Sequence, residues 1–189
     1  MKLKIISMIA LIFLIAGCEY ETSLTDEHII AVDKAVLGLW EAVPEKGRVS
    51  DPKGRVSDSK ERVSDSKERV SDSKERLMVL KYTDTEYLVH YPTGDEGFYF
   101  RGYPVRIGGI SCVQIRLIGD SNGDIKTGER KYQVISYQFV KGELEIKTLN
   151  TDLVDKNIKD RNKLKIAFLT NKNKGELFRN PVRFKKVAG

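Results

Sequence analysis

Between residues 77 and 149 the sequence alternates short strand patterns with turn signals, and this run limits the fold more than any other feature. The strand patterns cover residues 77–82, 86–91, 97–104, 111–118, 131–139 and 143–149. Turn residues separate them, as at Gly108-Gly109 and Lys141-Gly142. Because each strand follows closely on the one before, hairpins are enough to connect them, which predicts an antiparallel meander.

Two further strand patterns complete the predicted sheet. They cover residues 37–43, before the meander, and residues 181–187, near the C-terminus. Alternation in the last strand places Val182, Phe184 and Lys186 on one side. Eight antiparallel strands are enough to close a small barrel whose interior holds side chains or one small ligand. The sequence therefore predicts a mainly β domain, a small eight-stranded antiparallel up-and-down barrel.

Short helices are predicted before the first and the last strand. Thr25 is a candidate cap for a helix over residues 26–36. Residues 152–158 and 161–171 are the candidates before the last strand, and Asp160 is a suitable cap for the second of them.

The first seventeen residues are typical of a secretory signal helix. Lys2 and Lys4 give a positively charged start, residues 5–15 are apolar, and Ala16-Gly17 supplies small residues at a cleavage point. The apolar stretch is shorter than the roughly 20 residues that span a bilayer. Residues 1–17 are therefore predicted to be a signal peptide outside the folded domain.

The signal pattern ends at Ile15-Ala16-Gly17-Cys18, which resembles the lipobox of bacterial lipoproteins. The resemblance implies that Cys18 carries acyl chains and that residues 18–25 form a lipidated tether to the membrane. Glu19, in place of an Asp, favours the outer membrane facing the periplasm if the cell is Gram-negative. A Gram-positive cell surface is the alternative location, and an ordinary secretory signal or an uncleaved anchor is the alternative to lipidation.

Residues 48–75 repeat a seven-residue unit four times, as RVSDPKG and three copies of RVSDSKE. Each unit holds one apolar residue, a Val, whereas a coiled coil needs two per heptad. A segment so poor in apolar residues cannot offset the entropy of folding. We expect a solvated insert between the first two strands, or a partner-binding segment as the alternative, which leaves residues 26–47 and 76–189 as the folded domain.

Gly38-Leu39-Trp40 in the first strand is similar to the GxW signature of the lipocalins. The order of helix, seven strands, helix and last strand is also like that of the lipocalin barrel. This resemblance implies that Trp40 lies at the closed end of the barrel, beneath a basic residue from near the last strand, for which Arg183 is the candidate. It also implies that the repeat borders the mouth of the barrel.

The charged and chemically reactive residues exclude several classes of function. The 33 Lys and Arg are interspersed with 27 Asp and Glu, and no run or face concentrates the net charge of +6, so no nucleic-acid partner is predicted. Two Cys and two His are too few for a zinc site, and the loop at Asp120 departs from the calcium-loop pattern. Cys112 is predicted to be a small buried residue, since nothing in the spacing supports a dyad with His90. We therefore expect no catalytic group, metal or cofactor, and no enzyme.

Aromatic residues on the predicted strands are the candidates for ligand binding, and Tyr87, Tyr91, Phe98 and Phe100 are the tentative set. Small-molecule sites are usually apolar, with a few polar groups. We therefore expect a membrane-anchored envelope lipoprotein that binds a small apolar or amphipathic ligand. The alternative is a structural or adaptor lipoprotein that has a filled core and acts through an envelope protein partner.

Overall fold

A computed structural model describes residues 19–44, 75–93, 96–124 and 131–187. The predicted signal helix, Cys18 and all of the repeat except Glu75 lie outside these residues. The strands are β1 Gly38–Ala42, β2 Arg76–Lys81, β3 Tyr87–Thr93, β4 Glu96–Ile107, β5 Ile110–Asp120, β6 Gly123–Asp124, β7 Tyr132–Val140, β8 Glu143–Leu149 and β9 Phe178–Lys186. A 3-10 helix, Lys34–Val36, precedes β1, and helix α1, Arg161–Asn171, precedes β9.

Eight of the strands in the described part of the chain form a closed antiparallel ring. They follow one another in chain order, from β1 to β5 and then from β7 to β9. Pairing of β9 with β1, where Phe184 lies opposite Ala42, completes the ring. The short β6 pairs with the end of β5. The predicted mainly β class, and the antiparallel arrangement of eight consecutive strands, are confirmed.

Side chains that point into the ring form the inner core. The alternation is plain on β2, where Leu77 and Val79 are buried while Leu80 is exposed. The buried members of the inner core are Val36, Trp40, Leu77, Val79, Tyr87, Tyr91, Phe100, Val113, Leu144 and Phe184. Full burial of one such side chain contributes about 1.5–3 kcal/mol to stability, so the inner core is a main source of the fold's free energy.

A second set of buried residues, the outer core, lies on the outside of the ring beneath α1. Its buried members are Tyr20, Leu24, Tyr103, Val105, Ile107, Cys112, Val134, Leu149, Val154, Leu164, Phe168 and Leu177. Strands β4, β5 and β7 contribute to both cores, so both of their faces are covered in this region. The sequence predicts instead that the outward face of β5, which carries Gln114, meets water.

Gln114 shows why that prediction is wrong, because it is fully buried beneath the N-terminal segment. The backbone N–H of Leu24 donates to Gln114 Oε1 at 2.6 Å, and Gln114 Nε2 donates to the hydroxyl of Tyr103. The Tyr103 hydroxyl in turn donates to the carbonyl of Thr25 at 2.7 Å. A polar residue on the outer face of the ring is thus a hydrogen-bonding partner for a packed segment of chain.

Residues 19–25 belong to the folded domain, which corrects the prediction that residues 18–25 form a tether. Tyr20 pairs with Tyr132 through two backbone hydrogen bonds of 2.7 and 2.9 Å, and its buried hydroxyl donates to the carbonyl of Val154 at 2.8 Å. Lys131 Nζ lies 3.0 Å from the carboxylate of Glu19. The described chain is therefore held against the ring from its first residue.

The helix predicted over residues 26–36 is only the 3-10 turn Lys34–Val36, capped by Asp33 instead of Thr25. Tertiary hydrogen bonds replace the helical ones: Val32 N–H donates to the carbonyl of Asp84 at 2.9 Å, and Asp33 N–H donates to the hydroxyl of Tyr87 at 2.7 Å. The segment is stretched across one end of the ring, and this end is therefore covered.

Of the two helices predicted before the last strand, only the second forms. Helix α1, Arg161–Asn171, has Asp160 as its N-cap, as predicted, with Asp160 Oδ1 accepting from Lys163 N–H at 2.8 Å. Residues 152–158 form turns instead. The carbonyl of Val154, which a helix would use internally, accepts the hydroxyl proton of Tyr20.

Apart from Glu75, the predicted insert lies outside the described residues, between the paired strands β1 and β2. The N–H of Ala42 donates to the carbonyl of Glu75 at 2.8 Å, so the two ends of the intervening chain are neighbours. Strand β1 ends and β2 begins at the end of the ring opposite to the one that residues 26–36 cover.

Candidate functional site

The ring surrounds a partly open cavity of about 140 Å³ within the inner core. Its aliphatic walls include Leu77, Val79, Val113, Ile115, Ile135 and Ile146. Its aromatic walls are Tyr87, Tyr91, Phe100, Tyr137 and Phe184. The wall also contains two polar side chains that are not aromatic, Gln133 and Thr148. A space of this composition suits an apolar molecule with few polar groups.

Three of the four predicted ligand-binding residues, Tyr87, Tyr91 and Phe100, are brought together in the cavity wall. The fourth, Phe98, packs against the inner core but is not part of the wall. Tyr137 was missed as a wall residue. Alternation with Ile135 on the same strand places it on the inward face, so the signal that would have identified it was present.

The 3-10 turn contributes to the cavity wall at the covered end, and Trp40 is buried beside this turn. Val36 forms part of the wall, and its carbonyl accepts a hydrogen bond of 2.9 Å from Trp40 Nε1. Lys186 Nζ lies 5.3 Å from the centre of the Trp40 ring, within the range of a cation–π contact. Gly38, at φ +128°, makes room for this lysine, since a Cβ at position 38 would lie 3.2 Å from Lys186 Cε.

Lys186, and not Arg183, is therefore the basic residue over Trp40. Strand alternation explains the correction, because Lys186 follows the buried Phe184 by two residues, whereas Arg183 points to the outside. Arg183 Nε donates to the carboxylate of Glu145 at 2.8 Å. Hydrogen bonds from Gln138 and Arg183 lower the pKa of Glu145 to about 2, so this carboxylate stays ionised.

The covering segment, residues 26–36, also forms hydrogen bonds with the hydroxyl groups of two wall residues, Tyr87 and Tyr137. Tyr137 donates its hydroxyl proton to Asp33 Oδ2 at 3.0 Å, and Asp33 N–H donates to the Tyr87 hydroxyl. Burial raises the pKa of both phenols above the ordinary value of tyrosine. Both phenols are therefore neutral at physiological pH and bonded to protein, which leaves their ring faces available to the cavity.

A buried carboxylate, Glu86, helps to hold this covering segment. It pairs with His28 of the segment and with Arg101 of β4, whose Nε donates to it at 3.0 Å. Burial tends to raise the pKa of Glu86, but hydrogen bonds from Arg101 and His28 outweigh this effect and lower the pKa. The His28 ring also stacks on Tyr103, with the ring centres 3.6 Å apart.

Cys112 and His90, the two residues considered for catalysis, lie in different parts of the fold: Cys112 in the outer core and His90 on β3. Cys112 is a free buried thiol of the outer core, as predicted, and burial raises its pKa to about 12. A thiol with this pKa is protonated and unreactive near neutral pH. His90 stacks on Tyr99, its neighbour across β3 and β4, with the ring centres 4.6 Å apart. Within the described ranges, no group of three His, Cys, Asp or Glu residues could hold a metal ion.

No helix among the described residues has the length and apolar character needed to cross a membrane.

Comparison with known proteins does not assign the chain to a family. No protein-family model, no curated protein and no solved structure matches the chain.

Proposed function

We propose that this protein is a membrane-anchored envelope lipoprotein whose ring is a lipocalin-like up-and-down barrel that binds a small apolar or amphipathic ligand. The observation that carries this proposal is the apolar cavity lined by inner-core residues. A well-packed protein interior leaves few voids larger than a water molecule, and a cavity of about 140 Å³ has room for a small ligand.

The size of the cavity limits the ligand. Ligand pockets commonly measure about 300–1,000 Å³, whereas an apolar cavity of about 150 Å³ takes up benzene. The cavity here, at about 140 Å³, is close to the smaller of these values. The ligand class that fits is a single aromatic ring or a short alkyl chain.

The closed end supports the lipocalin-like part of the proposal. The strands run consecutively around the ring, and a turn before β1 covers one end. Trp40 is buried beside that turn, with a basic side chain from the last strand over its ring. These features agree with what the GxW resemblance implies, with Lys186 in the role expected of Arg183.

The lipobox supports the anchor and, with Glu19, favours the outer membrane facing the periplasm in a Gram-negative cell. Because Glu19 is ion-paired with Lys131, acyl chains on Cys18 would begin one residue away from the folded domain. The protein would then lie directly on the membrane surface instead of at the end of a flexible tether.

Replacing Cys18 with serine is expected to release the full-length protein from the membrane fraction. Several acyl chains make attachment effectively stable, and their loss leaves no lipid anchor. Fractionation of cells that express each form, followed by immunoblotting, measures the effect, and Cys112→Ser is the matched control that should stay with the membrane. Membrane retention of Cys18→Ser would refute the anchor.

Filling the cavity is expected to abolish ligand binding. The change Val79→Phe adds an aromatic ring to the cavity wall, and we expect the affinity for toluene to fall by more than tenfold. Leu80→Phe is the matched control, because the neighbouring side chain lies on the outside of the ring and is 45% exposed. Calorimetric titration with toluene measures both variants. Equal binding by Val79→Phe and the unmodified protein would place the ligand elsewhere.

The alternative, a structural or adaptor lipoprotein, is favoured by one observation. Ile29 and Tyr82 are exposed apolar side chains, at 78% and 54%, on the covering segment and on the adjacent turn after β2. Such residues are available for a protein contact, although single exposed apolar residues are common on protein surfaces. Absence of toluene binding by the unmodified protein would favour this alternative.

A further inference from the structure

A carboxylate lies beside the cavity, at the end of the ring opposite to the one that residues 26–36 cover. Glu75 directly precedes β2, two residues before Leu77, so strand alternation places both on the inward side. The hydroxyl of Tyr91, a wall residue, donates to Glu75 Oε2 at 3.3 Å. The acid is thus linked directly to the cavity wall.

The described residues use only part of the hydrogen-bonding capacity of the Glu75 carboxylate. Among the described residues, the Tyr91 hydroxyl is the group that bonds it, and no cation is paired with it. Other acids near the ring differ in this respect, since Glu86 is paired with Arg101 and Glu145 with Arg183. Partial burial raises the pKa of Glu75, and the hydrogen bond from Tyr91 only partly offsets this effect.

The phenol beside it adds little charge compensation. Burial raises the pKa of Tyr91, and the negative charge of Glu75 raises it further, so Tyr91 remains a neutral donor. A cationic partner adds a Coulomb attraction to the carboxylate that a neutral phenol lacks. The remaining hydrogen-bonding capacity of Glu75 therefore suits a cation that enters beside it.

We infer that Glu75 selects ligands with a cationic head group, so that the proposed ligand is a small amine with an aromatic or short alkyl body. This inference rests on the proposed function, since the body must occupy the cavity. The apolar part would contact walls such as Val79 and Phe100, while the ammonium group would donate to Glu75 near Tyr91. Glu75 and Tyr91 would thus determine specificity at this end of the ring.

The test compares four single-ring probes of similar size: toluene, benzyl alcohol, benzylamine and benzoate. Calorimetric titration at pH 7 with the unmodified protein should give benzylamine an affinity about tenfold above that of benzyl alcohol. Benzoate should bind more weakly than benzyl alcohol. The variant Glu75→Gln should lose the preference for the amine while it binds toluene as before.

Two controls separate head-group recognition from general effects. Glu27→Gln removes the same charge from an exposed position and should keep the preference for benzylamine. Toluene binding by Glu75→Gln shows that the variant is folded and that its cavity is intact.

The outcomes distinguish this inference from the proposed function. If toluene binds but benzylamine binds no better than benzyl alcohol, or if Glu75→Gln keeps the preference, the inference fails and the cavity site stands. If none of the four probes binds the unmodified protein, both are overturned.

Discussion

Replacing Trp40 with alanine is expected to lower the free energy of unfolding by about 3–5 kcal/mol, the usual cost of removing a large buried aromatic residue. Trp40 is 1% exposed, and its indole N–H bonds the turn that covers the ring. The loss would be a large fraction of the roughly 5–15 kcal/mol that stabilises a typical domain. Urea denaturation followed by circular dichroism measures it without relying on tryptophan fluorescence.

The matched control for Trp40 is Phe139→Ala. The two ring centres are 6.1 Å apart, but Phe139 is exposed at the surface. Its removal should cost no more than about 1 kcal/mol. If Trp40→Ala proved as mild as this control, the covered end of the ring could not be a main source of stability.

Replacing Phe168 with alanine is expected to destabilise the protein by about 3–5 kcal/mol through the outer core. Phe168 is fully buried on α1 and packs edge-on against Phe178 of β9, with ring centres 6.3 Å apart. The same urea experiment measures this loss. The ring interior should be little affected, so the folded variant should still bind toluene.

Ile166→Ala in the same helix is the control for Phe168. Ile166 is 62% exposed, and alanine has the higher helix propensity, so the change should stay within about 0.5 kcal/mol. A similar small change for Phe168→Ala would show that α1 is not packed on the ring as described.

The ring of strands was predictable because its signal is local. Period-two alternation marked Val113, Ile115 and their counterparts on other strands, and turn residues separated one strand from the next. The same pattern placed Lys186 with Phe184 on the inward face. The assignment of Arg183 to Trp40 came from the family resemblance and not from this alternation, and it was wrong.

The segments that pack on the outside of the ring could not be predicted from the local sequence pattern. Alternation shows which residues share a face, but not whether another segment lies on that face. Gln114 is buried because it bonds Leu24, 90 positions earlier in the chain. For the same reason the helix predicted over residues 26–36 does not form, since Asp84 and Tyr87 bond its backbone and override local propensity.

The candidate site was predicted in part. Aromatic residues on adjacent strands identified Tyr87, Tyr91 and Phe100, because neighbouring inward positions must meet inside a closed ring. Glu75 had no such signal, since it reads as the last residue of a charged repeat. Only the pairing of β1 with β2 shows that this acid stands at the end of the ring beside Tyr91.

Methyl-resolved NMR during a titration with toluene tests the central claim, that the ring interior is a ligand site, most directly. Methyl groups of the inner core are separated by the sheet from those of the outer core. We expect saturable shifts at Val79, Val113 and Leu144, and none at Val105, Val134 and Leu164. Unchanged spectra, or shifts confined to the outer-core methyl groups, would contradict it.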